Sequence, residues 1–507
     1  MKGTSTDIVR GVLTAVLVTT LVVGPGAAAA RADDSLEDRV RQLEDLVRRQ
    51  GEMLEKQQQH IEAQNQRLER QQEQIQMQTE AAHAKGAPMG AVVPTGDAAD
   101  AAAAANAAAA AATAAAAAAN AAAEDDDRVR VSTGYGGVKF DSADGRFQFV
   151  FGGRIQLDGA WFDDDITPFG SGAEIRRARF VANGTAWDVW KYKLELNFSS
   201  DVEAEITDGW LSYNGFKPVS IIVGHQKVPW GQQSASSSNW QVFQERGMID
   251  SFIDTGETGR RRLGIAAIGY GEHWLAHAGF FGEGIDDDSQ FNSDWGTAAR
   301  VVGRAFAEKR KVAAVGGSIY YRNFNGGNDL RFRARPESHI GSTRLIDTGD
   351  IIGEKALLMY NAEATGVLGS AHAQFEYVGS HVDRGGLPNP NFGGFYVQAG
   401  YFLTGESRNY DKKSGKYKRI IPNGIVGDGG IGAWEIAARY STLDLQSEDI
   451  PGGKQWNVTA GVNWWATPSI AFRLNYVYAN VNPNSSVTLG GDDEQVNVLM
   501  GRAQIVF

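Results

Sequence analysis

From Arg128 to Phe507 the sequence repeats with a period of two. Tyr192, Leu194, Leu196 and Phe198 alternate with Lys191, Lys193, Glu195, Asn197 and Ser199; Trp456, Val458, Ala460, Val462 and Trp464 alternate with Asn457, Thr459, Gly461 and Asn463; Phe472, Leu474, Tyr476 and Tyr478 alternate with Arg473 and Asn475. Successive side chains of a strand point to opposite faces, so each run is a strand with one wet face and one greasy face. Such runs start near Arg146, Ala173, Trp190, Ala204, Val219, Arg262, Trp274, Thr297, Val312, Lys355, Ser370, Asn391, Gly432, Gln455, Ser469 and Glu494. Tight connectors at Trp187–Trp190, Gly215–Pro218, Gly271–His273, Glu308–Lys311, Gly366–Gly369 and Ala466–Pro468 alternate with longer ones.

A soluble sandwich would turn Leu and Ile towards a protein core. Here the greasy face carries Trp, Tyr, Phe, Gly and Ala, and the opposite face carries Arg, Lys, Glu and Asn. That inside-out pattern, with alternating short and long connectors, predicts an all-β transmembrane barrel of about 16 antiparallel strands in a bacterial outer membrane. In lipid only a helix or a closed barrel satisfies its own backbone, and no stretch after the N-terminal one reaches the ~18 apolar residues of a membrane helix. Phe507 and Ile505 on one face, with Gln504 and Arg502 on the other, fit a closing strand. Thr404–Ile431 falls where a short turn is due and shows no strand pattern.

The first quarter of the chain follows other rules. Lys2 and Arg10 precede an apolar stretch from Gly11 to Val23, and Ala30-Arg31-Ala32 offers small residues where a signal peptidase reads, so residues 1–32 are expected to be a secretory signal. Within 33–80, Val40, Val47, Leu54, Ile61, Leu68 and Ile75 recur every seven positions, which predicts an α-helical coiled coil. Its second seam reads Leu43, Gln50, Gln57, Gln64, Gln71 and Gln78, and such amide layers exchange stability for alignment. Residues 81–127 form an Ala-rich spacer after Pro88 and Pro94 break the helix, leaving 128–507 for the barrel. A fully helical coil would be about 70 Å long at ~1.5 Å per residue, a reach suited to the periplasm.

The formal net charge of −12 is concentrated in residues 1–127, where 19 acidic residues face 11 basic ones. An acidic balance argues against nucleic acid as a partner. The absence of Cys excludes disulfides, Cys-ligated metals and a thiol nucleophile. No carboxylate or His spacing indicates a metal, and the GxGxxG at Gly427, Gly429 and Gly432 precedes a strand instead of a helix, so no cofactor is expected. No nucleophile motif supports an enzyme.

Several stretches resemble the phosphate-selective porins O and P: FGGRIQLDGAWFDDD at Phe151–Asp165, EIRRARF at Glu174–Phe180, YKLELNFS at Tyr192–Ser199, GHQKVPWG at Gly224–Gly231, FQERG at Phe243–Gly247, TGE with a following Tyr at Thr404–Tyr410, and GAWEIAARYSTLD at Gly432–Asp444. The resemblance implies a homotrimeric sixteen-stranded porin whose third loop folds inward to form an Arg- and Lys-lined constriction for phosphate or other small anions. The connector from Gln226 to Arg260 matches that loop, and the family's pattern carries pore cations onto Arg176, Arg177, Lys227 and Arg246. Arg176 and Arg177 are neighbours, so both reach water only at a strand's mouth or across a bulge. Arg262, Arg300 and Arg304 are expected to add a ladder along the wall, because several weak sites pass ions better than one deep trap. Further expected partners are outer-membrane lipid, lipopolysaccharide and, through the N-terminal coil, peptidoglycan or another cell-wall polymer. The alternatives are a general porin without selectivity and a structural tether with an incidental pore.

Overall fold

The structure, a computed structural model, describes residues 128–199, 204–255, 258–285, 294–325, 330–482 and 493–507. The expected signal segment, coiled coil and spacer lie outside those residues. In chain order the strands are β1 (Arg130–Gly134), β2 (Gly137–Asp141), β3 (Gln148–Asp164), β4 (Gly172–Ala186), β5 (Trp190–Asn197), β6 (Glu205–Tyr213), β7 (Val219–Lys227), β8 (Arg261–Tyr270), β9 (Trp274–Phe281), β10 (Trp295–Glu308) and β11 (Lys311–Asn323). They continue with β12 (Arg333–Ala334), β13 (Ile346–Asp347), β14 (Glu354–Leu368), β15 (Ala371–Arg384), β16 (Asn391–Phe402), β17 (Tyr410–Asp411), β18 (Lys416–Tyr417), β19 (Ala433–Ser447), β20 (Ile450–Trp465), β21 (Ile470–Asn482) and β22 (Glu494–Val506).

Sixteen of these close a barrel of antiparallel neighbours. The last strand, β22, pairs with the first barrel strand, β3, from Val496↔Asp164 to Val506↔Arg154. Closure removes the edges that an open sheet would expose. Alternation sorts the faces as the sequence predicts: Leu474, Tyr476, Leu499 and Ile505 are exposed outward, whereas Arg473, Asn475, Arg502 and Gln504 are buried inside. Aromatic rings gather outside the short-turn end, where Trp190 packs on Tyr213 at 4.8 Å and Phe147 on Trp187 at 5.0 Å, as an interfacial girdle does. No helix among the described residues is long and apolar enough to cross a membrane.

Three features depart from the sequence reading. A hairpin, β1–β2, precedes the barrel and pairs with the first residues of β3, from Val138↔Phe151 to Asp141↔Gln148; its five-residue strands are too short to span lipid. The strand expected near Gln455 begins at Ile450, because Pro451 sits beyond a bulge at the strand's end, where no ladder donor is needed. The segment 403–432 leaves the short-turn end and folds inward: Arg408 is 0% exposed and pairs with Glu435, and the carbonyls of Ser414 and Gly415 accept bonds from Arg300 on the wall.

The connector 228–260 also folds inward and supplies much of the core. Val228, Trp230, Phe243, Met248, Phe252 and Ile253 are buried against the inner wall. Its helical turn Gln232–Ala235 is held where the backbone N–H groups of Gln232 and Gln233 donate to the Glu376 carboxylate of β15 at 3.0 and 2.8 Å. Further on, Arg473 donates to the carbonyl of Asn239, Asn463 to that of Val242 and Arg502 to that of Gln244, while Asn475 accepts from the Gln244 N–H. The wall from β15 to β22 therefore carries the loop, and the opposite wall stays open.

Candidate functional site

Between the inward loop and the wall formed by β3 to β10 lies a cavity of about 750 Å³. Its lining contains thirteen Lys and Arg residues against six Asp and Glu. Strand alternation places them. On β3, Arg154 faces in, 2.5 Å from Glu195 and 3.2 Å from the Asn239 amide oxygen. On β4 the register jumps from Gln156↔Arg177 to Leu157↔Ile175, so Arg176 is the extra residue of a bulge. That bulge turns both Arg176 and Arg177 inward while Ile175 and Phe180 stay outside, the solution that adjacent inward arginines require.

Glu245 is the hub of the loop. Its carboxylate accepts Arg176 Nε at 2.9 Å and Arg502 Nη2 at 2.8 Å, and Arg177 stands at 3.9 Å. Burial alone would raise this carboxyl's pKa, but Arg176, Arg177 and Arg502 overcome it and hold Glu245 well below the ordinary carboxylate range. Arg260 closes on Asp250 and Asp254 in the same loop. Arg261 and Lys193 share Asp208, and Lys193 also meets Glu195. These are short, charge-assisted contacts that fix the cations in place.

Six of the seven residues singled out from the sequence line this cavity: Arg176, Arg177, Lys227, Arg246, Arg262 and Arg300. Their immediate partners differ. Lys227 Nζ donates to the carbonyls of Ser234 and Ser236 at 2.6 and 3.0 Å, and Arg246 to those of Gln233 and Ser236, so both also brace the loop's helical turn. Arg300 makes a two-pronged pair with Glu363 at 2.9 and 2.6 Å, and Arg262 meets Glu283 at 3.1 Å. Arg304 is elsewhere: it is absent from this lining and caps the β8–β9 turn, donating to the carbonyls of Gly271, Glu272 and Trp274. The expected ladder thus ends at Arg300, because Arg304 lies at the turn end of β10, where the carbonyls of the β8–β9 turn take its guanidinium.

Several cations were not anticipated. A second cavity of about 410 Å³ shares Arg176, Glu245, Arg246 and Arg335 with the first and adds Arg331, Arg333 and Arg344, which come with Arg335 from the connector 324–353. The alternating RFRAR of 331–335 was the available signal, a loop segment with cations at strand spacing. Lys416 reaches the first cavity from the inward segment 403–432. Arg154 shares the inward face of β3 with Gln156 and Asp158, so period two alone would have found it.

A closed sixteen-stranded barrel, apolar outside and charged inside, with a loop folded into its lumen beside a cation-rich cavity, defines an outer-membrane porin. The chain belongs to the phosphate-selective porin O and P family, whose sequence profile matches residues 149–507. This is a family of channel proteins, not of enzymes. It is 26% identical over 416 residues to Porin O of Pseudomonas aeruginosa, covering 73% of this chain and 91% of that one. It is also 29% identical over 386 residues to an uncharacterised protein of Caulobacter vibrioides, covering 73% and 76%. Among solved structures it is similar to an anion-selective porin from Comamonas acidovorans, with a TM-score of 0.48, 12% identity and coverage of 71% of this chain and 100% of that one. It is similar, too, to the trimer form of OmpT from Vibrio cholerae, with a TM-score of 0.45, 11% identity and coverage of 71% and 99%.

Proposed function

We propose that this porin is a passive channel for small anions, phosphate among them, in which the cavity between the inward loop and the β3–β10 wall is the constriction. The carrying observation is the excess of thirteen cations over six carboxylates along a passage within a chain whose net charge is −12. An anion entering a narrow, low-dielectric passage trades hydration for fixed donors, and a surplus of cations lowers its barrier while raising that of a cation. Guanidinium groups present a rigid fork suited to a tetrahedral oxyanion, and the printed name of the family and of its Pseudomonas relative fits that solute.

The carboxylate partners of Arg154, Arg176, Arg260 and Arg300 favour a second reading, a general porin of weak selectivity. Zero-current potentials across a planar bilayer separate the two. Anion selectivity in a KCl gradient, with phosphate blocking chloride current at sub-saturating concentration, supports the first reading; a reversal potential near zero refutes it.

The working form is a homotrimer, with residues 33–80 as a parallel coiled coil and 81–127 as a spacer in the periplasm reaching towards peptidoglycan. The unbroken Val40–Ile75 repeat supports this. Mass measurement of the detergent-extracted protein should give three chains, and one or two chains would exclude it. Envelope integrity after deletion of residues 35–127, with conductance retained, tests the tether: loss of integrity supports it and an intact envelope removes it.

A further inference from the structure

The outer wall carries a groove that permeation does not use. Strand register sets Ala313, Gly366, Ala373, Ala399, Ala438 and Ala460 side by side on the outward face of β11, β14, β15, β16, β19 and β20. Phe306 closes this row at one end and Tyr476 at the other. Two residues towards the loops, Phe375, Val397, Tyr440 and Val458 form an upper bank; two residues towards the turns, Leu368, Tyr401, Ile436 and Val462 form a lower one, all of them exposed. Part of it is a hollow of about 780 Å³ lined from Phe306 to Ala438, and a Cβ added at Gly366 would meet only open space.

The shape has a length and a direction. Six strands about 4.8 Å apart give a groove about 24 Å long. It runs across strands that tilt by roughly 40°, so it rises about 15 Å along the membrane normal, half of the ~30 Å hydrocarbon core and thus one leaflet. The floor begins two residues from the β10–β11 turn at Ala313 and lies five residues from the next turn at Ala460, so the groove climbs from the short-turn end towards mid-membrane. At its low end Lys311 Nζ stands 4.4 Å from the centre of the Phe306 ring, with Lys309 and Arg310 in the same turn and Glu308 as the turn's acid. Lys311 is exposed and has no carboxylate partner among the described residues. An apolar channel one leaflet long, with a cation at its mouth, matches a lipid with one acyl chain in the channel and an anionic headgroup at the rim.

We propose that this groove holds an acyl chain of a glycerophospholipid from the periplasmic leaflet, with its phosphate against Lys311. Periplasmic placement follows from the short turns at that end. Native mass spectrometry of the full-length protein, extracted in detergent and incubated with phosphatidylglycerol, tests it. Wild type should retain one lipid per barrel as detergent rises. Ala373→Trp fills the floor and should cut retention about tenfold; Lys311→Glu leaves the floor intact, reverses the rim charge and should cut it comparably. Both variants should keep their conductance and their heat-modifiable barrel mobility. Unchanged retention in Lys311→Glu overturns the proposal, as does preferential retention of lipopolysaccharide, which belongs to the other leaflet. A fall in oligomer mass in Ala373→Trp would mark the groove as a contact with a second copy and would equally overturn it.

Discussion

Replacing Glu245 with Gln should raise the preference of the channel for anions. Glu245 lines both cavities and is the one carboxylate that Arg176, Arg177 and Arg502 share, at 2.9, 3.9 and 2.8 Å. An anion seated on the far side of Arg176 stands roughly 6 Å from that carboxylate. Coulomb's law gives about 0.7 kcal/mol of repulsion there in bulk water and about 2.8 kcal/mol at an effective dielectric constant of ~20. A water-filled passage lies nearer the first limit, so the amide should lower the anion's barrier by about 1 kcal/mol, roughly fivefold in the permeability ratio. The assay is the zero-current potential in a KCl gradient, and because the screening length falls from ~10 Å at 0.1 M to ~3 Å at 1 M, the gain should shrink as salt rises. Arg502 keeps Asp158 at 2.6 Å and Arg177 keeps Gln156 at 2.8 Å, so the cluster retains partners and the barrel should still assemble. An unchanged ratio at 0.1 M salt would show that ions do not pass this hub, and the placement of the constriction would be wrong.

Three further outcomes are expected. Arg304→Ala should leave ion selectivity as it is but lower the unfolding free energy by about 1–3 kcal/mol, since the turn carbonyls of Gly271 and Trp274 lose a charged donor; a urea midpoint read alongside the reversal potential checks both halves. Glu376→Gln offers only one oxygen to the N–H groups of Gln232 and Gln233 and to the Tyr396 hydroxyl at 2.5 Å, so the loop should loosen and single-channel current noise should rise, whereas a noise spectrum like that of wild type would mean the loop is held elsewhere. Burial, then Lys193 and Arg300, lowers the pKa of Lys416 below that of an ordinary lysine. Its positive charge is therefore lost at lower pH than an ordinary lysine's, so anion preference should fall as pH rises while still below the usual ~10.4, and Lys416→Met should flatten that limb.

The barrel was legible because lipid and lumen impose the same period of two on every strand. Fifteen of the sixteen starting points fall within two residues of an observed strand's start, and the one larger displacement, Gln455 against Ile450, comes from Pro451-Gly452-Gly453, which reads as loop and yet lies in the end of a strand's ladder. The need for a bulge between Arg176 and Arg177 was also readable, since two adjacent inward side chains violate alternation unless the register slips. Ion-pair partners were not readable. Arg502 meets Asp158 across 344 positions because the barrel closes, and Arg439 meets Glu337 across 102 because the connector 324–353 folds onto β19. Segment 403–432 escaped for a related reason: its one strand ladder among the described residues is the two-residue β17–β18, and it is anchored by Arg408, whose carboxylate partner is on β19 and whose guanidinium lies 5.2 Å from the Trp465 ring.

The two halves of the wall divide the work: the strands from β3 to β10 border the open passage, with the shortest of them, β5 to β9, at eight to ten residues, and the strands from β15 to β22 carry the loop. The loop-bearing side satisfies buried backbone groups of the inward connector through Glu376, Arg439, Asn463, Arg473 and Asn475, and each such bond holds a loop that would otherwise be free to close the passage. The passage side instead pairs most of its cations with carboxylates while leaving a surplus of positive charge, so an ion meets fixed donors without a single deep well. On the proposed anion-channel reading, selectivity rests on the imbalance between paired charges, and a substitution should act according to whether it changes that imbalance, as Glu245→Gln does, or only the scaffold that holds it, as Arg304→Ala does.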